Sequence, residues 1–560
     1  MHKILMAFLL GALLGTGPAA AATGKARQLG DLGQVGDVHF ATSCDPALQK
    51  EFDRGLALLH SFFYDEARRV FTTIAEKDPE CAMAHWGVAM SYYHPLWTAP
   101  DSADLAAGDA AVGRALGARK QDAHESDYVR AVAAYYRGPF EASSGTTVGA
   151  PSCHGGAVVD HRGRAKAFLR ESEKLSATYP GDVDAAAFYA LELIATSPPG
   201  DPELRNPKRA AEILERWYAK RPKHPGLIHY LIHAYDYPAT AQKGLPAAKV
   251  YASVAPWVPH ALHMPSHIFT RLGMWNESIQ TNLASVEASR TYATTYFPGA
   301  AMGEELHAMD YAMYGYLQTA QDEKAKAMVA RLNQVTKTWP PVDFATGYAF
   351  GAMPARYALE RRQWKEAAAL EIRPMPFWSK LPFSEGHIAY AQAIGAARSG
   401  DLARAHRAAD RLGELAAAST EPRFQYFADQ MNLQRQAALG WIACAEGRKD
   451  EGLGILRRAA AQEDSLGKHP VSPGAMLPIR ELLADALVEN GKPAEALTEF
   501  EASLAINPGR FNALYGAANA AKLAGKPDVA RKYYRQLNAL AAAGDGTRAE
   551  LVEARKMAGY

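Results

Sequence analysis

The sequence predicts an all-α chain of stacked helical hairpins, and three observations carry that expectation. First, residues in the C-terminal part recur at a fixed offset. Gly491-Lys492-Pro493 returns as Gly525-Lys526-Pro527, Ala496 as Ala530 and Phe500 as Tyr534, each 34 positions on. A repeat of that length is a pair of antiparallel helices joined by a tight turn. Second, no window of useful length alternates with period two, so no sheet is expected. Third, alanine is abundant, and it loses no side-chain entropy in a helix. The bulk numbers exclude more than they identify. The chain has 560 residues, 48% apolar and 22% charged, a foldable globular composition. Lys plus Arg is 61 and Asp plus Glu is 60. A net charge of +1 supplies no field to gather nucleic acid or an anionic membrane.

Taken in order, residues 1–22 read as a signal peptide. His2 and Lys3 precede the apolar run Ile4–Leu14, and Ala20 and Ala22 fit a cleavage site after Ala22. A buried N-terminal helix is the other reading. No later stretch reaches about 18 uninterrupted apolar residues. The mature chain is therefore expected to be exported, periplasmic or extracellular, with no integral membrane segment. Residues 23–47 read as an extended segment. Residues 48–137 read as N-terminal hairpins, with Gly55, Ala67, Phe71 and Pro79 at repeat positions 8, 20, 24 and 32. Residues 138–160 form a Gly/Ser-rich insertion. Residues 161–345 are central repeats, in which Ala210, Leu214 and Pro222 take the last three of those roles. Residues 346–470 are degenerate repeats, with Gln363–Ala367 and Gly400–Ala405 as starts of second helices. Pro374, Pro376 and Pro382 predict a bend between stacks. Residues 471–545 hold the C-terminal pair, and 546–560 a charged tail or terminal helix. The total is roughly eight to ten hairpins.

Four cysteines are present: Cys44, Cys81, Cys153 and Cys444. Cys44 and Cys81 flank one expected hairpin and are the favoured pair. Three connectivities remain open, as does the reading of four separate thiols.

Within each C-terminal unit a small residue at Ala496 lets the second helix approach the first. Phe500 fills the space between them, and Pro508 ends the unit. These residues at this spacing resemble tetratricopeptide-repeat proteins. The resemblance implies an α-α superhelix whose first helices line a concave groove, and it implies a peptide or protein partner bound there.

The stretch most suited to chemistry runs from His224 to Gln318. It contains His229-Tyr230-Leu231-Ile232-His233-Ala234-Tyr235-Asp236, then His260-Ala261-Leu262-His263-Met264-Pro265-Ser266-His267, then His307-Ala308-Met309-Asp310. His229 and His263 are 34 apart, as are His233 and His267. Both pairs fall at positions 5 and 9 of a first helix. His260 and His307 fall at position 2, and Asp310 at position 5 of the third helix. One helix earlier, Glu192 aligns with His233. Positions 2, 5 and 9 share one helix face. Neighbouring helices about 8–10 Å apart let equivalent side chains meet. The expected groove lining is His229, His233, Asp236, His260, His263, His267, His307 and Asp310.

Two readings follow. HxxxH on a helix is a ligand-competent spacing, and neutral imidazoles with a carboxylate suit Zn, Cu or Fe. The metal set would be His229, His233, His263, His267 and Asp310, with Asp236, Tyr230 and Tyr235 as supporting partners. Alternatively the histidines pack helices, or bind a peptide or small anion directly. Met264, Met274, Met302, Met309 and Met313 crowd the region. They serve as gap-fillers, although thioether with imidazole also suits Cu(I). HExxH and phosphate-binding glycine loops are absent, so no catalytic residue is assigned.

A narrower likeness rests on His39–Cys44, Cys81–Gly87, His94-Pro95-Leu96-Trp97 and the two histidine motifs. Over about residues 39–340 the chain resembles a group of long exported bacterial tetratricopeptide proteins, departing from it by the insertion at 138–156. That likeness implies the superhelix and no activity. The expected function is an exported scaffold binding a peptide or protein in its groove. The alternative is a metal-binding or metal-dependent protein. No cofactor is certain, and no oligomeric state is implied.

Overall fold

The computed structural model describes residues 33–96, 99–138, 160–198 and 200–558. The expected signal peptide, Cys153 and nearly all of the 138–160 insertion lie outside the described residues. Residues 34–560 form one compact unit. The described part of that unit is all-α. The exceptions among the described residues are a parallel two-residue ladder between Ala301–Met302 and Thr338–Trp339 and an isolated bridge between Cys81 and Lys120.

Consecutive helices pack as antiparallel hairpins: Gln49–His60 on Tyr64–Lys77, Val183–Ala195 on Arg205–Tyr218, Pro382–Ser399 on Leu402–Ala418, and so on to Phe511–Leu523 on Pro527–Leu540. The 34-residue unit is visible in its turns. Gly491 and Gly525 take φ of 72° and 71°, a left-handed turn that glycine adopts without steric cost. Lys492 N donates to Leu487 O and Lys526 N to Ala521 O, both at 2.9 Å. Packing repeats as well. A Cβ on Gly516 would fall 2.2 Å from the Phe500 ring, and one on Gly87 2.4 Å from the Phe71 ring. In both cases the glycine lies 16 residues after the aromatic, so ring and backbone are matched across hairpins. Helical repeats stacked this way generally build surfaces for protein association.

First helices of successive units also stack. Val183–Ala195 lies on Pro225–Tyr235, and Gly303–Gln318 lies on Phe344–Glu360. The middle of this stack is two short helices, Pro259–His263 and Pro265–Arg271. Pro265 lacks the N–H that would continue the ladder. The following helix, Trp275–Tyr296, has 22 residues. Its length explains why position 2 recurs after 47 residues, from His260 to His307, rather than 34. Pro382 stands at the first turn of Pro382–Ser399. The proline-rich stretch before it is extended, with only the 3₁₀ turn Trp378–Lys380.

The C-terminal repeats fold back onto the central ones through buried cations. Arg510 lies between Glu360 (2.9 Å) and Glu481, and also donates to Tyr314 Oη; it is fully buried. Arg356 donates to Asp310 (3.2 Å), Gly474 O (2.8 Å) and Ala475 O (3.0 Å). Arg548 pairs with Asp322 at 2.6 Å. Lys468 reaches Asp236 at 2.9 Å. Tyr311 Oη lies 2.8 Å from Pro470 O and 3.0 Å from Ser472 O. Residues 467–478 thus form a strap across Gly303–Gln318. Cys44 and Cys81 form a disulfide, while Cys444 is free. Among the described residues no helix is long and apolar enough to cross a membrane. Residues Ala549–Ala558 form a helix packed on Pro527–Leu540.

Removing a buried cation strands its carboxylates, at about 3–5 kcal/mol. Arg510→Met should therefore lower the unfolding midpoint sharply, because both Glu360 and Glu481 lose their partner. An exposed control, Arg531→Met, should leave it within error. Equal midpoints for the two variants in a urea or thermal scan would disprove the role given to Arg510.

Candidate functional site

His229 and His233 stand one turn apart on Pro225–Tyr235, so their side chains share a face. Their Nε2 atoms are 3.1 Å apart. The same geometry recurs one repeat later, where His263 Nε2 and His267 Nε2 are also 3.1 Å apart. Each pair gains a third imidazole from the next first helix. His260 joins His229 and His233, and His307 joins His263 and His267. In each triad the three ligand-competent atoms lie within 4.8 Å of one another. The triads adjoin: ring centroids are 6.0 Å apart for His260–His263 and for His233–His267.

The outer nitrogens are held. His229 Nδ1 donates to His60 O at 2.7 Å. His267 Nδ1 donates to Asp236 at 2.9 Å, and His260 Nδ1 to Glu304 at 3.2 Å. His263 Nδ1 meets Asn282 Oδ1 at 2.7 Å. Asn282 Nδ2 donates to Ser278 O at 2.7 Å, and a carbonyl only accepts. This orients the amide oxygen toward His263, which therefore carries its proton on Nδ1. Outer acceptors of this kind fix the tautomer and aim of metal-ligating histidines.

The face is covered, not open. His229 and His263 are 0% exposed, and His233, the most open of the six, is 9%. The tip of the first hairpin covers the first triad. Phe62 stacks on His260 with centroids 5.5 Å apart and meets His229 edge-on at 4.4 Å. Its φ is 54°, an uncommon conformation for a residue with a Cβ. On the other side Tyr311 packs edge-on against His263 at 4.7 Å. Burial disfavours the charged form of His229, His233, His263, His267 and His307. It lowers His263 to about 4 and His233 to about 3, and pushes His229, His267 and His307 well below the usual range. The neighbouring imidazoles add to the depression at His229 and His307.

The other expected residues are placed elsewhere. Asp310 does not join the imidazoles, because Arg356 takes it. Asp236 supports His267 and is itself held by Arg271 (2.8 Å) and Lys468. Glu192 accepts from Tyr93 at 2.8 Å, and burial raises it to about 8. Tyr230 Oη donates to His60 Nδ1 (3.0 Å), whereas Tyr235 Oη donates to Glu215. Met309 and Met313 are core fillers.

A third cluster, which the repeat register does not mark, lies behind the first triad. Asp184 Oδ1 accepts from His60 Nε2 at 2.8 Å and His224 Nε2 at 3.1 Å. Burial works to raise Asp184, but these two donors outweigh it and hold the carboxyl well below its usual range. Each of these contacts pairs one donor with one acceptor, although His224 Nδ1 is buried without a hydrogen-bond partner. The cluster's service to the site is to fix His60, whose carbonyl orients His229.

No protein-family model matches the chain, and no curated protein matches it. Among solved structures it is similar to the APC/C hetero-tetramer Cut9–Hcn1, at 12% identity, covering 91% of this chain and 96% of that one, with a TM-score of 0.27.

The depressed histidines make the metal-free fold acid-sensitive. An unfolded histidine takes up its proton near pH 6.5, whereas His263 and His233 in the fold wait until about 4 and 3. The histidine contribution to stability is thus full above pH 6.5 and falls as pH drops through that window, by about 1.4 kcal/mol per unit for each such group. Glu192 and Glu463, both raised to about 8, act in the opposite sense but are fewer. Chelator-treated protein should lose stability to urea between pH 6.5 and 5. A flat profile there would contradict the neutral, buried state of the imidazoles.

Proposed function

We propose that this chain is a helical-repeat scaffold built around a buried transition-metal centre. One observation carries the reading. His263 and His267 each carry a proton on Nδ1, so two bare Nε2 lone pairs face each other at 3.1 Å in a dry interior. No proton from either ring lies between them, and burial disfavours adding one. A cation at their focus removes the repulsion. Two bonds of about 2.0–2.1 Å meeting near the tetrahedral angle place the nitrogens roughly 3.3 Å apart, close to the observed separation. Three imidazoles with no directly bound carboxylate suit Cu, Zn, Fe or Ni and not Mg or Ca. The metal set becomes His263, His267 and His307, with the equivalent set His229, His233 and His260. Asp310 leaves the list.

A second reading, partner binding, rests on a different place. A cavity of about 690 Å³ lies beyond Lys468 and Arg271, lined also by Tyr237, Tyr426 and Arg480. A peptide or protein partner would use such outer surface, since the histidine face is covered. Export of the chain, and its place in the long exported group, is part of the same proposal. The residues at 1–22 and the Cys44–Cys81 disulfide support it, because disulfides persist in oxidising compartments.

The test is metal content. Full-length protein purified without a His-tag or chelator should carry at least one equivalent of Cu, Zn or Fe, and a His263→Ala/His267→Ala variant should carry less. Protein that arrives without metal, and takes up none of the three on titration, would refute the centre.

A further inference from the structure

The strap that closes the histidine interior also borders a second chamber. Gly467, Lys468, Ser472 and Gly474 line the cavity of about 690 Å³, with Arg271 and Glu463 on the same wall. Lys468 is unusual there. Its side chain is only 9% exposed, so the amine faces the cavity without the hydration of a surface lysine. Nζ lies 2.9 Å from Asp236 Oδ2, and Arg271 Nε lies 2.8 Å from Oδ1 of the same carboxylate. Two cations thus share one carboxylate at the cavity wall. Burial chiefly, with Arg271 alongside, outweighs Asp236 and brings Lys468 down to about 8. A desolvated lysine beside a second cation is the kind that acts as a nucleophile.

The neighbours suit one class of electrophile. As a free amine Lys468 spends one N–H on Asp236 and keeps its lone pair for a carbonyl carbon. Arg271 spends Nε on Asp236 Oδ1 and Nη2 on the Asp236 carbonyl (2.9 Å), which leaves Nη1 unengaged among the described residues. A carboxylate directly adjacent to the carbonyl would meet that donor. Burial pushes Glu463 up to about 8, so it holds a proton at neutral pH. The remaining charged groups of the lining are paired, Asp464 with Arg480 and Asp201 with Arg205.

We propose that Lys468 is the nucleophile of a covalent site for small 2-oxo acids, with Arg271 seating the carboxylate and Lys468 Nζ forming an imine with the adjacent carbonyl.

The step needs no redox partner. Nζ, having released one proton to solvent, adds to the carbonyl carbon. The nitrogen passes a proton to the former carbonyl oxygen, giving a carbinolamine. A further proton, for which Glu463 is a source in the same cavity, lets that oxygen leave as water. The product iminium keeps one N–H and one positive charge, so it still pairs with Asp236. No ion at the histidines is required.

The experiment incubates full-length protein with pyruvate and cyanoborohydride, which reduces an imine to a stable secondary amine, and locates the adduct by peptide mass mapping. An ordinary lysine, near 10.4, is neutral at pH 7 on the order of 100-fold less often than one near 8, so Lys468 should label at least roughly tenfold faster than any other. Its rate should climb from about pH 6.5 to about pH 8.5, as the ammonium gives up its proton. Acetone offers the carbonyl without the carboxylate. With each probe normalised to its rate on free acetyl-lysine, acetone should label Lys468 about tenfold more slowly, the worth of one charge-assisted hydrogen bond. Lys468→Arg keeps a cation for Asp236 and should lose this adduct alone. Labelling spread over the surface lysines, with Lys468 no faster, would overturn the nucleophile. Equal normalised rates for pyruvate and acetone at Lys468 would overturn the 2-oxo acid. Should Lys468→Arg fail to keep its helical circular dichroism, the wild-type peptide map and its pH profile decide alone.

Discussion

Closure of the helical array by buried cations is the interaction on which the rest of the structure depends. A stack of hairpins open at its inner face would leave the polar residues of Pro225–Tyr235, Pro259–His263, Pro265–Arg271 and Gly303–Gln318 in water. Here Arg356, Arg510 and Lys468 tie the C-terminal half to those helices. The strap of residues 467–478 and the tip of the first hairpin then exclude solvent. In that dry interior burial disfavours the charged form of His229, His233, His263, His267 and His307. The carboxylates that could have ligated an ion directly are engaged with cations instead: Asp310 with Arg356, and Asp236 with Arg271 and Lys468.

Helical periodicity made much of this legible. The 34-residue offset, the turn glycines and the small-aromatic pairing describe the hairpins. Positions 5 and 9 put His229 with His233 and His263 with His267, and position 2 put His260 and His307 beside them. What periodicity does not carry is the identity of a neighbour brought in from another part of the chain. Asp310 sits in register with the histidines, yet Arg356, two helices on, decides its fate. His60 and Phe62 come from a hairpin about 170 residues before the motif, following no repeat register, and nothing in their local sequence marks them. The architecture of a generic array implies a concave groove and carries no information on the strap or the tip that cover the histidines.

The polar clusters differ in how protons are shared among their groups. The groups around Asp184 alternate donor and acceptor, so they stabilise one another as they stand. The Nε2 pair of His263 and His267 does not alternate, since Asn282 and Asp236 consume both available protons. Two clusters of similar composition and burial thus differ in what they leave over. One pairs donors with acceptors around a carboxylate, and in the other the Nε2 atoms of His263 and His267 face each other as acceptors.

The support of this interior is spread widely along the chain. His60 aims His229, and Lys468 holds the carboxylate behind His267, so its two ends are 408 residues apart (468 − 60). The closed pocket therefore needs contacts from both ends of that span. Any ion it takes must then arrive through a fluctuation that lifts the Phe62 tip or the strap. Loading and release would follow the rate of that local opening rather than the strength of the bonds inside. Occupancy in such an interior is a record of the conditions under which the chain last breathed.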